Sequence, residues 1–116
     1  MTLSNFEQGD IVVATLMFSE QVGAKTRPAL VISNSNFNQG SDDIILLKIS
    51  SKAQITKFDV PIRQADFIEG ELKLDSKIIV DNPVTTYKNM ISAKAGKISQ
   101  QKLQEVKQKI KELFEI

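Results

Sequence analysis

Residues Gly9 to Ser33 read GDIVVATLMFSEQVGAKTRPALVIS, and the reading of the fold turns on them. Asp10 to Phe18 is β-branched and apolar on both of its alternating faces, the pattern of a strand buried on two sides. The Gly9-Asp10 step in front of it is a turn signal. Ser19 to Thr26 is a polar loop with Gly23 at its middle. Pro28 to Ile32 follows as a second strand, and a proline suits its first position because it has no N–H to give to a ladder.

Working outward, Ser33 to Asp43 (SNSNFNQGSDD) is rich in Asn, Ser and Asp and reads as a loop. Ile44 to Ser51 is a third strand that ends in two hydroxyls. Lys57 to Ile62 alternates, with Phe58, Val60 and Ile62 on one face and Lys57, Asp59 and Pro61 on the other, a half-buried strand near an edge. Gly70 interrupts the chain before a short strand at Ser76 to Asp81, and Asn82-Pro83 turns it. From Ser99 the period changes. Leu103, Val106, Ile110, Leu113 and Phe114 recur at helical spacing behind an N-capping Ser99, while Lys102, Lys107, Lys109 and Lys111 face elsewhere. Five short strands and one helix predict a mainly β fold, a small barrel with a C-terminal α-helix, as one domain over residues 1–116.

Composition narrows the chemistry. The 116 residues include no Cys, His or Trp. Disulfides, thiolate nucleophiles, zinc fingers and imidazole acid–base catalysis are therefore excluded. Catalysis has to come from Asp, Glu, Lys, Arg, Ser, Thr or Tyr87. The formal net charge is only +1. The basic excess is concentrated in residues 88–116, where a lysine-rich helix face is the simplest explanation. The polar, acidic N-terminus resembles no secretory signal, and no apolar run approaches bilayer length, so a cytoplasmic protein with no membrane partner is expected.

Two features carry candidate chemistry. Arg27 is one of only two arginines in the chain and sits where a loop enters a strand. A guanidinium is a planar fork that grips two phosphate oxygens at once, although a strand-capping surface arginine would occupy the same place. Ser50 and Ser51 close the third strand. Alternation puts Leu46, Lys48 and Ser50 on one face and Ile45, Leu47, Ile49 and Ser51 on the other. A hydroxyl beside a lysine suits phosphate; a strand emerging into solvent would end the same way.

Together these segments resemble the PemK/MazF toxin family. The resemblance lies in Gly9-Asp10-Ile11-Val12, in Arg27-Pro28-Ala29-Leu30-Val31, in a third strand ending in hydroxyls, in the Ser76 to Asp81 segment, and in Gly96-Lys97-Ile98-Ser99 before the last helix. It implies an SH3-like barrel, a homodimer, and an endoribonuclease that cuts single-stranded RNA by attack of the 2′-OH, with no metal or other cofactor, under the restraint of a cognate antitoxin. Carried over residue by residue, it implies catalytic roles for Arg27, Ser50 and the loop acid Glu20, and RNA contacts from Lys25, Thr26, Lys48, Ser51 and Asp81. Ser51 replaces Ser50 if the register slips by one. The alternative is the same barrel with reduced catalysis, serving as an RNA- or protein-binding module.

Overall fold

Asp10–Met17 (β1) and Ala24–Val31 (β2) pair antiparallel near the middle of a seven-stranded sheet. The structure is a computed structural model that describes residues 5–17, 24–52 and 54–116. The remaining strands are Asp43–Ser50 (β3), Asp59–Ile62 (β4), Phe67–Gly70 (β5), Ser76–Tyr87 (β6) and Ile91–Ile98 (β7). The helices are Ser35–Gly40 (α1) and Gln100–Phe114 (α2). Across the sheet the order is β4-β6-β3-β2-β1-β7-β5, and each pairing is antiparallel. The sheet curls into a half-barrel with α2 packed on it.

Strand alternation builds two apolar cores, one on each face. Ile11, Leu30, Leu47 and Ile49 join Val60, Ile62, Ile78, Val80 and Ile98 beneath Leu103 and Val106 of α2. Val12, Ala14, Leu16, Ala29, Val31, Ile44 and Leu46 form the opposite cluster with Phe6 and Ile91. Burying one such aliphatic side chain is worth about 1.5–3 kcal/mol. β1, β3 and the Ala29-Leu30-Val31 end of β2 contribute to both clusters, which accounts for the nearly continuous hydrophobicity of those stretches.

The helix expected after Ser99 is present. Ser99 Oγ accepts from the Lys102 N–H at 3.1 Å, capping the first turn. Leu103 and Val106 are buried, Ile110 and Leu113 pack against the same core, and Phe114 is exposed. Lys102 is not a solvated bystander: its Nζ donates to the Pro61 carbonyl at 3.0 Å and pairs with Glu105 at 2.9 Å and Asp66 at 3.6 Å.

Elsewhere the structure departs from the pattern. β2 starts at Ala24, so Lys25 to Arg27 are strand rather than loop. Pro28 accordingly lies inside β2, opposite Val13, just before the β2–β3 ladder begins at Ala29. That is where a missing N–H does least harm. Part of the expected Ser33 to Asp43 loop is helix α1, started by Asn34, whose Oδ1 accepts from the Phe37 N–H at 2.9 Å. Asn82-Pro83 does not turn the chain. β6 runs on to Tyr87, and its register against β3 jumps between Leu47↔Pro83 and Ile49↔Ile78, absorbing the extra residues as an irregularity. β5 and β7 were not anticipated. Gly70 ends β5 at φ +86, close to the Ala95 carbonyl, an approach that a side chain would obstruct.

A buried polar knot fixes the start of the fold. Ser33 Oγ donates to Asn38 Oδ1 and accepts from the Ile45 N–H at 3.0 Å. Asn38 Nδ2 in turn donates to the Phe6 and Ser33 carbonyls, both at 3.0 Å. Nearby, Lys97 Nζ donates to Glu7 Oε1 at 2.7 Å. That hydrogen bond, and the lysine's charge after it, hold the Glu7 carboxyl below its usual range.

Two outcomes are expected. Leu103→Ala opens the core beneath α2 and should cost about 2–5 kcal/mol in a urea titration. Glu7→Gln should lower the urea midpoint slightly at neutral pH. A depressed carboxyl adds stability above its unfolded pKa and loses it as the pH falls through the folded value. The difference between Glu7→Gln and the unsubstituted chain should therefore vanish in acid.

Candidate functional site

The short ladder between β2 and β3 decides what one face of the sheet presents. Ala29 pairs with Lys48, Leu30 with Leu47 and Val31 with Leu46. Facing residues of an antiparallel pair project to the same side. On the side of Val31, Leu46 and Ala29 the surface is apolar core. One step along it becomes Lys48, where the ladder ends; beyond it, Arg27 of β2 and Ser50 of β3 lie on that same side and line one groove. On its other flank Ser50 pairs with Lys77 of β6. Three neighbouring strands thus contribute a guanidinium, a hydroxyl and an ammonium in one row.

That row opens into a groove of about 690 Å³. Among the described residues its cationic lining comprises Arg27, Lys48, Lys52, Lys73 and Lys77, against a single carboxylate, Glu71. For a chain of net charge +1 this is a marked concentration of positive charge. Ser50, Ser51 and Ser76 add hydroxyls, and Leu72 and Leu74 supply an apolar wall. Ser50 Oγ also accepts from the Lys52 N–H at 3.2 Å, which folds the chain back over the end of β3.

One charged pair lies beneath the surface. Lys77 Nζ is 3.1 Å from Asp59 Oδ2, with the two side chains 10% and 2% exposed. The same Asp59 oxygen accepts from the Thr56 N–H at 2.7 Å. The alternation of β4 puts Asp59 opposite Val60 and Ile62, as expected, yet Asp59 is buried while Pro61 on the same face is exposed. Lys77 is what makes burial of the carboxylate tolerable.

Of the residues singled out in the sequence, Arg27, Lys48, Ser50 and Ser51 line the groove together. Ser50 is the last residue of β3 and half-buried, and Ser51 lies just beyond it, exposed. Lys25 is exposed on β2 opposite Leu16, and Thr26 faces Thr15; neither lines the groove. Asp81 is exposed within the irregular stretch of β6 and is also outside the lining. Glu20 lies outside the described residues. Lys52, Lys73 and Lys77 escaped the sequence reading. Lys77 follows a loop in a segment read only as apolar strand, and nothing local indicates that it reaches Asp59.

Residues 7–114 match the model of the PemK-like, MazF-like toxin of type II toxin-antitoxin systems. The chain belongs to this toxin family. A search of curated protein sequences returned no match. Among solved structures, the toxin resembles a MazE-MazF structure from Deinococcus radiodurans with a TM-score of 0.78 at 19% identity, over 97% of this chain and 98% of that one. It is also similar to an endoribonuclease in complex with its cognate antitoxin from a mycobacterial species, with a TM-score of 0.76 at 14% identity over 98% and 97% of the chains. The Mycobacterium tuberculosis toxin MazF-mt6 gives 0.75 at 19% identity over 92% and 97%. At these identities the likeness establishes a shared fold. Among the described residues of the toxin, no helix is long and apolar enough to cross a membrane.

The buried pair makes a prediction about stability. Asp59→Ala strands an ammonium with 10% exposure and should cost about 3–5 kcal/mol, whereas Asp59→Asn with Lys77→Met, which removes both charges, should cost far less. Equal losses in thermal melts of the two variants would show that the ion pair is not what matters at this position.

Proposed function

We propose that this toxin is an endoribonuclease acting on single-stranded RNA in the cytoplasm, working as a homodimer and held in check by a cognate antitoxin. Family membership supports the toxin role. The mycobacterial and Deinococcus structures of the same fold, an endoribonuclease with its antitoxin and a MazE-MazF pair, support both the reaction and the partner. The observation that carries the reading is the meeting of Arg27, Lys48 and Ser50 in a groove whose described lining holds five cations and one carboxylate.

The reaction asks for what such a groove provides. RNA brings its own nucleophile. Its 2′-oxygen attacks the adjacent phosphorus, the bond to the 5′-oxygen breaks, and the products are a 2′,3′-cyclic phosphate and a 5′-hydroxyl. The proton leaves the 2′-OH to a base, and a proton reaches the departing 5′-oxygen, so no net charge or atom is gained. Negative charge grows on the non-bridging oxygens at the midpoint. Arg27 is assigned to that charge because its paired N–H groups match two oxygens. Ser50 is assigned to orient the phosphate by a hydrogen bond, with Lys48 and Ser51 as further RNA contacts. Glu20 is assigned as the base, and Lys25, Thr26 and Asp81 to RNA outside the groove. Cleavage on this scheme needs no metal.

Expression in a bacterial host, with the 5′ ends of cut RNA mapped in the presence of EDTA, tests the proposal. Growth should slow and discrete cuts should appear. Arg27→Ala should reduce the cleavage rate about 10²–10³-fold, the usual effect of removing one donor to developing charge. Ser50→Ala should reduce it less. Binding without cutting would make the barrel an RNA-binding module, and wild-type activity in Arg27→Ala would refute the site assignment.

A further inference from the structure

We infer that Lys77 is a second phosphate-binding catalytic residue of this groove, held in place by Asp59. The inference rests on the RNA-cutting reading above and adds to it a residue that neither the family description nor the sequence reading assigns.

Four observations support it. Lys77 pairs with Ser50 across β6 and β3, so its side chain leaves the sheet on the same side as the hydroxyl assigned to the phosphate. It lines the groove that Arg27 also lines. Its side chain is only 10% exposed, so water screens its charge far less than that of a surface lysine. Its ammonium lies 3.1 Å from Asp59 Oδ2, and Asp59 is itself fixed by the Thr56 N–H at 2.7 Å.

This last contact makes Lys77 suitable. A lysine normally reaches its ligand at the end of a flexible four-carbon stem and loses entropy when it binds. Here Asp59 has already restricted the stem in the folded chain. An ammonium has three N–H donors, and one carboxylate oxygen takes one of them. The other two remain for non-bridging phosphate oxygens. Lys77 sits beside Ser50 on a paired strand about 4.8 Å away, and Arg27 lines the same groove from β2 on the other side of β3. A phosphate hydrogen-bonded to the serine is thus approached by a cation from each side. The charge that builds up as the 2′-oxygen attacks is shared between them.

The test uses the full chain, an RNA oligomer that it cuts, and a 2′-O-methyl copy that cannot react. Lys77→Gln should lower kcat/KM about 100-fold. It should also reduce the slope of log affinity against log salt for the methylated RNA by about 0.7, the share of one cation on a single strand. Lys77→Arg should recover at least tenfold of the rate. Lys111→Gln, on α2 at the opposite face of the sheet, should change neither quantity. The combined Asp59→Asn and Lys77→Gln variant removes the buried carboxylate left stranded by Lys77→Gln alone. If that variant, folded by thermal melt, cuts at the wild-type rate, Lys77 serves only to neutralise Asp59 and the inference is overturned. An unchanged rate and slope in Lys77→Gln overturn it too, with the RNA-cutting reading intact. If the unsubstituted chain neither binds nor cuts RNA, both fall together.

Discussion

The three-residue ladder between β2 and β3 is the constraint on which the rest of the structure depends. It joins the centre of the sheet to the β3–β6–β4 side, and it sets which residues share a face. Toward Val31 and Leu46 that face is core; past Ala29 it becomes Arg27, Lys48 and Ser50. Because strand side chains alternate with a period of two, a slip of one residue would send the guanidinium and the hydroxyl to the face that α2 covers. The apolar residues that prevent such a slip, Leu30 and Leu47 on one side and Val31 and Leu46 on the other, therefore also place the chemistry. Stability and the site share a register.

How much of this was legible in the sequence follows from which residues signal their surroundings. β1, β3 and α2 were readable because their burial is nearly continuous or strongly periodic. β5 and β7 were not, since their residues are mostly exposed, and Ser92 to Ala95 of β7 alternate polar residues only with small, exposed alanines. They are strands because the sheet offers them partners, a tertiary effect that local preference does not record. Asn82-Pro83 misled in the opposite direction: the pair is a good turn former, yet β6 carries it through an irregular stretch beside β3.

The site divides in the same way. Lys48 and Ser50 were identifiable because they lie in a strand whose alternation can be counted, and Arg27 because it is one of only two arginines. Lys77 and Asp59 were not, because their relation exists only across the β4–β6 pairing, where Asp59 meets Ile79 and Pro61 meets Lys77. A sequence shows a lysine and an aspartate; only the fold makes them a pair.

The ends of the sheet carry one more consequence. β4 and β5, the outermost described strands, are four residues each. β4 contains Pro61, whose carbonyl is already taken by Lys102, and β5 ends at Gly70 against the Ala95 backbone. A protein that binds by adding a strand to its target needs a longer row of open peptide groups than either edge offers. Along the described edges, then, a partner would meet mainly side chains rather than a long row of open peptide groups.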